Sequence, residues 1–102
     1  MTATVPGIYW HRDLPPIAAE AVGEHTVEAD SAHVHGTLTH GHELWTDCYD
    51  DLLHQTRTRL AQEIERLGGR YARVVDESIG SRRNDALGET WLHGRFDYVL
   101  YR

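Results

Sequence analysis

Four of the chain's eight histidines fall within the stretch SAHVHGTLTHGHELW, at positions 33, 35, 40 and 42. Imidazoles spaced this closely can ligate a metal, move protons or hydrogen-bond across an interface. His33 and His35 are two apart. On a strand both side chains leave the same face about 7 Å apart, near enough to share an ion if a neighbouring strand supplies a third ligand. His93 is the candidate for that third position, with Asp97 or Glu77 as carboxylate ligands or supporting partners. A second pair, His40 and His42, stands at a strand-to-helix turn beside Glu43 and Asp47. Histidine and carboxylate donors suit a divalent transition metal such as Zn, Ni or Cu, and the single cysteine argues against a thiolate site. No HExxH or paired CxxC signature is present, so exposed strand histidines, interface histidines or a small anionic or aromatic ligand stand beside the metal reading.

Other chemistry finds less support. Asp50 and His54 are one helical turn apart, as a general acid–base pair would be, but a solvated helix face has the same pattern. Ser31, Ser78 and Ser81 lie in no nucleophile elbow. LGGR leaves a helix where a phosphate loop would open one. Cys48 sits in an apolar helical pattern and reads as a buried thiol. All ten basic residues are arginine, which excludes lysine-based chemistry. A non-enzymatic protein is expected.

The elements that would position these groups follow from periodicity. The segment from Thr26 to Leu38 alternates, with Ala32, Val34, Gly36 and Leu38 on one side and Ser31, His33, His35 and Thr37 on the other, as a strand requires. Trp45, Tyr49, Leu52, Thr56, Leu60, Ile64 and Leu67 recur at steps of three and four and predict a helix from about 41 to 67, closed by Gly68 and Gly69. Residues 70–79 and 89–101 alternate like strands around the loop GSRRNDALG. Ala72, Val74, Leu92, Phe96, Tyr98 and Leu100 would face the helix. Trp91, His93, Arg95, Asp97, Val99 and Tyr101 would face away.

Residues 1–24 hold all three prolines and read as an irregular N-terminal arm, in which GIYW could form a short strand. Residues 25–102 then form one α+β domain of βαββ order. It is a three-stranded antiparallel sheet with one long helix on one face, in the spatial order first, third, second. Nothing in this plan covers the other face, so a homo-oligomer is expected. The chain of 102 residues with a net charge of −6 disfavours nucleic acid and acidic membrane partners. The start MTATVPGIYW lacks a basic segment followed by an apolar run, and a cytoplasmic protein is expected.

With VHGTL before the helix, YDDLLHQTRTRLAQEIERLGGRYARVVDESI running from helix to strand, and the return WLHGRFDYVLY, the chain resembles the small bacterial βαββ proteins of dodecin-subunit-like fold. It is most similar to the heavy-metal-binding (YbjQ-like) family. The resemblance covers about residues 32 to 101 and is one of pattern. It implies ring-like assembly and a bound metal or small ligand, and it carries over no catalytic residue.

Overall fold

A computed structural model describes residues 7–102. The first six residues of the predicted arm, Pro6 among them, lie outside the described part. Six elements follow in order: β1 (Gly7–Trp10), β2 (Ala21–Asp30), β3 (Val34–His35), α1 (Glu43–Leu67), β4 (Tyr71–Asn84) and β5 (Glu89–Tyr101).

The sheet differs from the three-stranded antiparallel one expected. It has five strands and is mixed, in the order β1-β4-β5-β2, with β3 also on β5. The arm supplies the difference. GIYW pairs in parallel with β4, Gly7 opposite Tyr71 and Trp10 opposite Val74. Pairing satisfies its backbone and lets Ile8 and Trp10 pack against the core. The prolines at 15 and 16 break only the connection between β1 and β2. The boundary placed after residue 24 therefore falls inside β2, which begins at Ala21.

The strand expected over residues 26–38 is two strands with a break. Asp30 is opposite His93, whereas Val34 is opposite Thr90, so one extra residue is accommodated between them. Ser31, expected on the outer side, turns inward and is 4% exposed. Its hydroxyl accepts from the Leu92 amide at 2.9 Å and donates to the Ala32 carbonyl, while the Ala32 amide donates to Asp51 on the helix at 2.6 Å. Polar atoms at the break thus find partners, as burial requires.

Helix α1 buries Cys48, Leu52, Thr56, Leu60 and Ile64, a row at steps of four. The Thr56 hydroxyl is satisfied within that row by the Leu52 carbonyl at 2.7 Å. The helix ends where Gly68 takes the left-handed conformation, φ 74°, which costs glycine little. Against this row the sheet sets Val27, Ala29, Ala72, Val74, Leu92, Phe96, Tyr98 and Leu100. The alternation read in β5 holds from end to end: Leu92, Gly94, Phe96, Tyr98 and Leu100 are buried, and the odd-numbered residues between them face away. Strand β5 spans the expected residues 89–101, whereas β4 runs further than expected, to Asn84, and leaves only a four-residue turn at 85–88.

Candidate functional site

The face of the sheet opposite the helix carries the candidate site. Cross-strand partners share a face, so the register lays the side chains out in rows. Asp30, His93 and Gly80 form one row across β2, β5 and β4; Glu28, Arg95 and Ser78 form the next; Thr26, Asp97 and Asp76 the third. Trp91 and Arg82 lie beyond the first row.

His93 is the most constrained of these groups, with its side chain 19% exposed. Its Nδ1 lies 2.6 Å from the Asp30 carboxylate and its Nε2 3.1 Å from that of Glu28. Only a ring protonated at both nitrogens can donate both bonds at once. The Thr26 hydroxyl donates to Asp97 at 2.7 Å, and Arg95 stands 3.9 Å from the same carboxylate. Two shallow depressions of about 390 and 350 Å³ open on this surface, the first between Glu24, Val75, Asp76 and Asp97, the second between Glu28, Ser78, Arg82 and His93.

The other predicted ligands have partners of their own. His33 stacks on Trp91, ring centroids 3.9 Å apart and planes at 12°, and its Nδ1 lies 3.0 Å from Glu89. His35 is opposite Glu89 in register and its Nδ1 lies 3.1 Å from the Gly88 carbonyl. His40 meets the edge of Trp45 with centroids 4.5 Å apart, and His42 is the residue before the helix, without a side-chain capping bond. Asp47 is exposed on the first turns of the helix.

Glu77 does not join His93. The register slips between Val74 and Asp76, and this bulge reverses the phase of the rest of β4, so that Glu77 is opposite Phe96 on the helix side. There it lies 3.5 Å from His11 and near Tyr49. Burial first, then the charges of Glu77 and Asp50, raise the Tyr49 hydroxyl above its ordinary range. Asp50 and His54, the acid–base alternative, are both exposed, and Cys48 is buried.

Among the described residues no three His, Cys, Asp or Glu side chains gather as a metal-binding group. The two nitrogens of His93 point in opposite directions to separate carboxylates, so its donors do not converge on one point. Reading from sequence missed Glu28 and Asp30, the partners of His93. Their signal was present in HTVEAD, where Thr26, Glu28 and Asp30 alternate with Val27 and Ala29.

No protein family, curated protein or solved structure matches this chain. No helix among the described residues is long and apolar enough to cross a membrane.

Proposed function

We propose that this chain is a non-enzymatic interaction subunit that presents the outer sheet face to a partner, with its histidines acting as hydrogen-bonding members of that face. The observation that carries the reading is the Glu28–His93–Asp30 bridge. Each ring nitrogen is engaged by a carboxylate of the adjacent strand, which uses the imidazole to lock β2 to β5. What remains outward is a mixed surface with Arg95, Arg82, Asp76, Trp91 and Val75, a composition suited to a polar and aromatic contact.

The competing reading is a metal or small-ligand protein of the heavy-metal-binding kind. Its support is that His33, His35 and His93 all lie along the β5 register on the same side of the sheet. Calorimetric titration of tag-free protein with Zn, Ni and Cu separates the two. Interaction through the face predicts no stoichiometric uptake. Near-integral binding that disappears in a His33→Ala/His35→Ala variant would replace it with the metal reading.

A further inference from the structure

The two long strands with open edges differ in a way that selects a partner. β1 stops at Trp10, opposite Val74, and the chain turns away at His11, φ 53°. From Asp76 to Asn84, β4 is therefore paired on its β5 side alone among the described residues. The exposed run reads DESIGSRRN. Its acids, Asp76 and Glu77, stand at one end and its bases, Arg82 and Arg83, at the other, about a centre of Ile79 and Gly80. Such a run is opposite in charge to itself when reversed. It also lacks a proline, unlike the blocked edges by which sheets avoid pairing.

We propose that this edge is the site of homodimerisation, β4 pairing antiparallel with β4 of a second copy about a twofold axis to give one continuous sheet. A twofold perpendicular to the sheet keeps each side chain on its own face, so residues of equal parity must meet. In a register centred on Ile79, Asp76 faces Arg82 of the partner subunit. In one centred on Gly80, Glu77 faces Arg83 of the partner subunit. Both registers repeat the ion pair by symmetry and set the second pair on the diagonal, within reach of an arginine. Arg82 makes no ion pair among the described residues, while Arg83 holds only the exposed Asp85, at 3.0 Å. Among the described residues Glu77 has only His11, at 3.5 Å, as an ion-pair neighbour.

The edge of β2 offers no such match. Its outer side chains include three acids, Glu24, Glu28 and Asp30, and no arginine, so a second β2 brings no charge complement. A second copy is thus favoured at β4 over β2. The inference stands apart from the proposed role of the outer face, because a continuous sheet leaves that face free in both copies.

Sedimentation equilibrium on the full, tag-free chain tests it. The expected mass is twice the 11.7 kDa of the chain. Arg82→Glu/Arg83→Glu should sediment as a monomer, and so should Asp76→Arg/Glu77→Arg. An equimolar mixture of the two should regain the dimer mass, with circular dichroism showing that each variant is folded. A wild-type monomer at several hundred micromolar, a dimer that survives in either charge-reversed variant, or a mixture that stays monomeric would each overturn the proposal.

Discussion

The ring of Phe96 lies folded over Gly94. A Cβ at Gly94 would stand 2.5 Å from Phe96 Cε2 and 3.2 Å from the Leu52 methyl, so the missing side chain is the space in which strand, ring and helix meet. Gly94→Ala should destabilise the protein by about 1–3 kcal/mol through overpacking. Gly80, one row-mate of His93, meets nothing within 4 Å, and Gly80→Ala should stay within about 0.5 kcal/mol of wild type. Urea denaturation of both variants checks the contrast, and equal midpoints would show that the close approach at Gly94 is absent in solution.

Leu52 is fully buried between helix and sheet, whereas its neighbour Leu53 is only half-buried. Leu52→Ala should cost about 2–5 kcal/mol, and Leu53→Ala clearly less. The reverse ranking in denaturation midpoints would mean that the helix is rotated from the face described.

The His93 bridge predicts a measurable coupling. His93→Ala leaves Asp30 and Glu28 side by side without the group between them, and the loss should be about 1 kcal/mol. In a double-mutant cycle with Asp30→Asn the coupling should be about 0.5–1 kcal/mol. A coupling of zero would show that the bond contributes nothing to joining β2 and β5.

Two tyrosines should titrate late. Burial is the main cause for both Tyr98 and Tyr49; Glu63 adds to it for Tyr98, partly opposed by Arg66, and Glu77 and Asp50 add to it for Tyr49. The fold holds these hydroxyls protonated above the range of an unfolded tyrosine, about pH 10. Their contribution to stability is therefore complete below that range and is lost as pH rises through the raised folded values. Absorbance at 295 nm should show two of the five tyrosines ionising above that range. Five tyrosines ionising together in a folded chain would contradict the burial of Tyr98.

The aromatic stack of His33 on Trp91 predicts a preference for ring over aliphatic at position 33. His33→Phe should retain stability, and His33→Ala should lose about 0.5–1.5 kcal/mol. Thermal melts that do not distinguish the two would remove the stack as a tie between the β2–β3 segment and β5.

The amino-acid sequence by itself determined the elements whose periodicity is long and unbroken. The row Cys48, Leu52, Thr56, Leu60 and Ile64 needs a helix to share a face, Gly68 ends it, and the alternation of Leu92, Phe96, Tyr98 and Leu100 sorts β5 into an inner and an outer side. Those are local rules of backbone geometry, legible wherever apolar spacing repeats. Tertiary structure alone decided which strands meet and where their phase breaks. GIYW reads as a possible short strand, but its parallel pairing with β4 is non-local and has no signature in four residues. A one-residue bulge at Val75 carries Glu77 away from His93, and the extra residue between Asp30 and Val34 breaks the phase read across 26–38, leaving Ser31 inward with Val27 and Ala29. The bridge of His93 to Glu28 and Asp30 joins residues more than sixty positions apart, so only the register of β2 on β5 could bring the candidate site together.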